Sequence, residues 1–445
     1  MSKIVQSAAA VSLVACLTVS GPAAAAVDGQ PLLQAYADIA TDAYGRAFAD
    51  ARELQQAIGE LAADPTEKTY AAARTVWLAA RESYGATEIF RLVNGPIDAD
   101  SGWVADAYGS PEGRINSWPL DENLIDYTID ANGRHTSGNI IDTPGIFLPG
   151  GQGAEAVDVA EITPAVLMAL NENGGDSNVA SGYHAIEFLL WGQDQDYANF
   201  SVDAITHGPL TAGQRPLADF TSVPHAQRRL QYLQAAAALL ASDLEAVAGA
   251  WSRNRSGRCS GDATGCYRAA LLGQLDGDDR EKNIPPESAL RQIVAGMGVF
   301  LKSELANERI AVAVLTPSEE DEQSCFSDNT HRDITRNYRG FVNVLKAEFD
   351  GKAYGESLYQ RVSGDTRKKL DRLIEKIDAR IARMNSLAAD KWHFDYQILP
   401  GNNDREIRHL KNDLRRLGDS MVAVAGDVGI SLTAGDVTDP GETRI

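Results

Sequence analysis

The chain has 445 residues, with 62 acidic against 41 basic side chains and a formal net charge of −21 at pH 7. Such an excess of acid argues against nucleic acid or an anionic membrane as partner, and suits a soluble envelope protein or one that handles cations. The length exceeds one ordinary domain and suggests two.

The chain opens with Lys3, a mostly apolar stretch from Ile4 to Val19, Gly21-Pro22 and a run of alanines, Ala23 to Ala26. This order describes a secretory signal peptide over residues 1–26, cut after Ala26. Export to the periplasm or the outer membrane follows, and loss of Lys3 takes the charge to −22. Leu13-Val14-Ala15-Cys16 resembles the lipobox of bacterial lipoproteins, so a lipid on Cys16 is the alternative. No later apolar run is expected to span a bilayer. Of the four cysteines, Cys16 leaves with the leader, and Cys259 and Cys266 flank a turn-rich segment where an oxidising compartment favours a disulfide. Cys325 is then the odd thiol, expected to be buried and inert.

Apolar residues from Leu32 to Leu61 recur at three- and four-residue steps, which predicts one long amphipathic helix. Asp64-Pro65-Thr66 ends it and starts a second, expected to run to about Val93. Within that helix Trp77, Arg81, Tyr84, Glu88 and Arg91 would share one face. Such a face is either solvent-exposed with internal ion pairs, or placed against a pocket where Arg91 orients carboxylates or an anion. Residues 94–153 are rich in Gly, Pro, Asn and Asp, too long for a mere connector, and read as a functional or packing loop with short helices. There Trp118-Pro119 precedes Asp121 and Glu122, acids that a short turn can aim.

Helical patterns return around 163–170, 180–192, 222–251, 288–305, 329–349, 365–388 and 403–425, and strand-like alternation is scarce. The expectation is an all-α protein of two four-helix-bundle-like domains, 27–210 and 211–445, related by duplication and with a pocket between them. Two histidines in comparable settings, Gly182-Tyr183-His184 and Asn329-Thr330-His331, hint at that duplication. The acidic run Glu319 to Glu322 reads as a solvated loop, and Asp328 as a helix N-cap.

Gly182-Tyr183-His184-Ala185-Ile186-Glu187 is the most informative segment. On a helix His184 and Glu187 project from one face and can reach a common ion. Tyr183, Ile186, Phe188, Leu189, Leu190 and Trp191 surround them, so the helix is expected to be buried, where an acid and a histidine need partners. The bland reading is a histidine at the edge of the core, capped by an acid.

With this G-x-H-x-x-E, the following Phe-Leu-Leu-Trp-Gly-Gln-Asp, Asn94-Gly95-Pro96 and Trp118-Pro119-Leu120-Asp121-Glu122, the chain resembles the imelysin family. Ser324 to His331, Ser-Cys-Phe-Ser-Asp-Asn-Thr-His, is similar to its iron-regulated protein A branch. The resemblance implies two helical bundles, a pocket between them containing the G-x-H-x-x-E residues, export, and a connection with iron acquisition.

Two functions are then in play. One is a binding protein in which His184, Glu187 and Glu122 hold a metal, iron rather than zinc, or an iron-containing ligand, with Arg91, Trp118, Asp121, Asp328 and His331 around the pocket. Its partners would be that ligand and other envelope iron-uptake components. The other is a metallopeptidase, since the family is named for insulin cleavage. However, His184-Ala185-Ile186-Glu187-Phe188 lacks the second histidine of both H-E-x-x-H and H-x-x-E-H. A third reading is an interaction protein whose pocket is only packing.

Overall fold

The structure is a computed structural model that describes residues 28–130, 132–194, 212–260, 264–315 and 321–438. The leader, Cys16, Glu319, Glu320 and the expected boundary at 210/211 lie outside the described residues. The fold is all-α. Its helices are α1 (Gln30–Ala63), α2 (Glu67–Gly85), α3 (Trp103–Tyr108), α4 (Glu112–Ile115), α5 (Glu122–Ile125), α6 (Pro164–Leu170), α7 (Gly182–Trp191), α8 (Ala226–Ala250) and α9 (Cys266–Leu271). There follow α10 (Pro286–Val299), a wide π-helical stretch (Phe300–Ala311), α11 (Val312–Leu315), α12 (Thr330–Lys346), α13 (Leu358–Arg361), α14 (Gly364–Asp390), α15 (Phe394–Ile398), α16 (Asp404–Asp419) and α17 (Met421–Asp427). Two hairpins of two-residue strands, at Ile146–Phe147 with Val157–Asp158 and Glu348–Phe349 with Lys352–Ala353, are the paired strands among the described residues.

The long helices lie where apolar periodicity put them. Helix α1 buries Leu33, Ile39, Leu54, Ile58 and Leu61 along one stripe. Thr66 caps α2 reciprocally with Thr69, which satisfies two donors that a helix start leaves orphaned. The second helix stops at Gly85 rather than near Val93, and Glu88–Phe90 form a single 3-10 turn. Arg91 is therefore extended and reaches partners that a straight helix face would not offer it.

Helix α1 packs on α2 and α8, and α7 packs on both α2 and α8. The π-helical stretch and α14 pack on α16, while α12 touches α2, the π-helical stretch and α14. One apolar cluster runs continuously from Leu32 to Val437 through both groups. Contrary to the sequence expectation, α8 is by length and composition apolar enough to cross a membrane. In the fold it is a core helix, with Leu230, Tyr232, Leu233, Leu240, Leu244 and Val247 buried. Cys259 and Cys266 form the expected disulfide, and Cys325, outside it, is half-buried rather than buried.

Candidate functional site

Helix α7 is buried along its whole length. Its first residue explains the motif glycine. Gly182 has φ +85°, and a Cβ there would lie 2.5 Å from the carbonyl oxygen of Ile115 and 2.7 Å from that of Arg114. Only glycine permits both the backbone angle and this approach. The start of the helix is held further by Trp77, whose indole N–H donates to the Tyr183 carbonyl at 3.0 Å.

One turn on, His184 Nδ1 lies 2.9 Å from Glu187 Oε2, with the two side chains 1% and 0% exposed. The other oxygen, Glu187 Oε1, accepts from the backbone N–H of Ser327 at 3.0 Å and from its hydroxyl at 2.6 Å. Phe188 packs on Phe326, ring centroids 5.2 Å apart. The segment 324–331 thus meets α7 through Ser327, which the sequence reading did not single out.

Burial, helped by the Arg81 and Arg309 cations, holds His184 well below the usual histidine range, so the ring is neutral. Burial pushes Glu187 up to about 8, with Asp333 adding to the rise while Ser327 and Arg81 oppose it. At pH 7 the pair is neutral overall, the carboxyl being largely protonated and able to donate to the neutral ring. The second ring nitrogen, Nε2, and the Tyr183 hydroxyl are buried and have no hydrogen-bond partner among the described residues. A buried polar atom without a partner costs about 1–3 kcal/mol and is the natural place for a ligand contact.

Around this pair lies a network of buried charge. Arg81 donates from Nε to Asp333 Oδ1 at 3.2 Å, with Nη2 in ion-pair contact with the same oxygen at 3.1 Å, and donates from Nη1 to Asn116 Oδ1 at 2.6 Å. Arg309 of the π-helical stretch pairs with Glu88 and donates to Asn337 Oδ1. Arg91 lies among Glu304 at 3.0 Å, Glu112 at 3.3 Å, Glu88 at 3.8 Å and Asp98 at 3.9 Å. The face built on Trp77, Arg81, Tyr84 and Glu88 is therefore buried, not solvent-exposed, and its ions are paired across the fold. A cleft of about 240 Å³ opens beside this network, lined by Arg91, Asn116, Trp118, Glu304 and Arg309 among others.

The remaining expected residues make other contacts. Asp121 is exposed and caps α5 by accepting from the Asn123 N–H at 3.0 Å. Glu122, half-buried, opens the same short helix. Asp328 is 3.5 Å from His393 Nε2, and its carbonyl is 3.0 Å from His331 Nδ1. Glu322 is 4% exposed, not solvated, and burial beside Asp395 and Asp328 raises its pKa far above the carboxylate range. Asp126 is buried and clasped by Arg215 at 2.6 Å and Arg229 at 2.7 Å. The two arginines outweigh the effect of its burial and hold its pKa low.

One atom of this arrangement has the chemistry of a metal ligand. His184 Nε2 is an available nitrogen donor, and Glu187 with Ser327 orients the ring as a carboxylate commonly orients a metal-bound histidine. Among the described residues, however, no three His, Cys, Asp or Glu side chains converge as a metal cage, so Glu122 is not brought to His184 and Glu187 as a third ligand.

A crystal structure of a protein from Parabacteroides distasonis, assigned provisionally as an iron-regulated protein A precursor, has the same fold. The TM-score is 0.61 at 17% identity, over 92% of this chain and 97% of that one. No curated protein matches the chain. The sequence also matches the Imelysin family model, named Peptidase M75, over residues 40–421, most of its length, and the chain belongs to the imelysin family.

Proposed function

We propose that the protein is an exported binding protein of iron acquisition, in which His184 Nε2 is the side-chain donor to iron. The observation that carries this reading is a buried imidazole nitrogen, without a hydrogen-bond partner among the described residues, on a ring fixed by Glu187 and, through it, by Ser327. Since the described chain offers one donor position there, an iron-containing ligand that brings its other coordination positions with it suits the site better than a bare ion. The iron-regulated name of the structural relative supports iron over zinc. A metallopeptidase would use its motif carboxylate to polarise water, and both oxygens of Glu187 are already engaged.

The test is metal analysis of protein purified without a histidine tag. Iron bound one per chain, and lost in His184→Ala with helix content unchanged, is the expected result. Iron retained by His184→Ala, or metal-dependent cleavage of unfolded protein lost in that variant, would overturn the reading.

A further inference from the structure

Charge is divided unevenly along the chain. Residues 94–178 carry 14 acidic against two basic side chains, whereas residues 331–430 carry 19 basic against 15 acidic ones. The acidic stretch packs on α8 through α3, α4 and α6, and the basic one packs on the π-helical stretch through α16, so the two occupy different parts of the fold.

The basic excess is concentrated on one side of α14. Lys369, Arg372, Lys376 and Arg383 are exposed at steps of three, four and seven residues. This spacing places them in a stripe about 21 Å long that no acid interrupts. Arg380 and Arg383 join that side of α14 to α16, through Glu406, Asp413 at 3.1 Å and Asn403 at 3.0 Å. Helix α16 adds Arg405, also exposed. In a chain with a formal net charge of −21, Lys369, Arg372, Lys376 and Arg405 enter no ion pair among the described residues.

The acidic stretch presents the complement. In its hairpin Phe147 turns into the core, and its neighbours Ile146 and Leu148 turn out, 70% and 64% exposed. They are the two most exposed large apolar side chains among the described residues. Asp158 stands opposite Ile146 across the hairpin, with Glu155 and Glu161 exposed on either side of it in sequence. A surface of lysines and arginines suits such a tip, because their aliphatic stems cover apolar groups while their charged heads meet the surrounding carboxylates.

We propose that the α14–α16 face of one copy receives the hairpin tip, Ile146 and Leu148, of a second copy, with Lys369, Arg372 and Lys376 opposite Glu155, Asp158 and Glu161. Each copy carries both faces, so the contact is heterologous and continues beyond a dimer as a ring or an open chain. Salt screens charges over about 8 Å at physiological strength, so the facing groups outweigh the net charge of the two copies. Neither His184 nor Glu187 takes part, and the proposal is independent of the iron reading.

The experiment is sedimentation velocity of the full chain over a range of protein concentrations at about 0.15 M salt. Wild type is expected to form species that grow beyond a dimer as concentration rises. One variant combines Lys369→Glu, Arg372→Glu and Lys376→Glu, and a second combines Ile146→Ser, Leu148→Ser and Glu155→Lys. Each is expected to associate about ten-fold more weakly or less, with unchanged helix content, since all six positions are exposed. Mixed in equal amounts, the two variants supply one intact face each and are expected to form dimers and nothing larger, a result that misfolded chains cannot give. Four results would overturn the proposal: a wild type that stays monomeric throughout, either variant associating like wild type, a mixture that stays monomeric while wild type associates, or binding of the basic face to phosphatidylglycerol vesicles without self-association.

Discussion

Replacing Glu187 by Gln separates packing from ligand chemistry within one side chain. The substitution keeps shape and volume. Its carbonyl oxygen must face Ser327, since the Ser327 backbone N–H, 3.0 Å away, can only donate. The amide NH2 therefore faces His184 Nδ1, obliging that nitrogen to accept and placing the ring proton on Nε2. In the resting protein this changes little, because burial keeps Glu187 largely protonated at pH 7 and a carboxyl proton already satisfies Nδ1. We expect a stability change under about 1 kcal/mol. Iron binding differs. Nε2 must then offer its lone pair, Nδ1 must carry the proton, and an amide facing it would set donor against donor in a buried site. An unmade buried hydrogen bond of about 1–3 kcal/mol corresponds to roughly 5- to 150-fold weaker binding. Iron titration followed by absorbance, alongside urea denaturation, reads both quantities. Wild-type affinity in Glu187→Gln would refute the reasoning, and so would a loss of several kcal/mol in stability, which would make the carboxyl a structural group.

Two further substitutions probe the buried ions. Arg81→Met leaves Asp333 buried with the Ser324 hydroxyl as its remaining neutral partner, and is expected to cost about 3–5 kcal/mol in urea denaturation. Adding Asp333→Asn should return part of that loss, and a single variant within about 1 kcal/mol of wild type would contradict the pairing. His331 tests pH dependence: burial, with Arg332 and His393 nearby, pulls it down to about 4. Its folded pKa lies below the unfolded value near 6.5, so the unfolded chain binds more protons between those limits. Stability from this group is therefore complete above about pH 6.5 and lost as pH falls toward 4, by up to about 3 kcal/mol. Denaturation at pH 4.5 and 7.5 should show a smaller acid loss in His331→Gln than in wild type, and equal losses would remove His331 from the account.

The long helices were legible because their burial is periodic: α1, α8 and α14 each repeat an apolar stripe every three or four residues. The short helices α3, α4 and α15 were not, since four to six residues hold too little periodicity and depend on tertiary packing. The end of α2 was misplaced because Glu88 and Arg91 continue its pattern in sequence, while their partners at 304, 309 and 337 draw them out of the helix. His184 and Glu187 were legible as a pair by their spacing. Ser327 was hidden, 140 residues from the acid it holds, and a serine before Asp328 carries no local signal of that bond. The same holds for Asn116, 35 residues from the Arg81 guanidinium its side-chain oxygen accepts from.

The wide coil from Phe300 to Ala311 has a mechanical consequence. An α-helix advances about 100° per residue, so relaxing this stretch to ordinary α-helical pitch would swing every later side chain around the axis. Arg309 would leave Glu88 and Asn337, and Glu304 would leave Arg91, although no contact residue had been changed. A single deletion between Leu305 and Asn307 is thus a register change that could dismantle the charged interior from a distance, with the apolar core around it still closed.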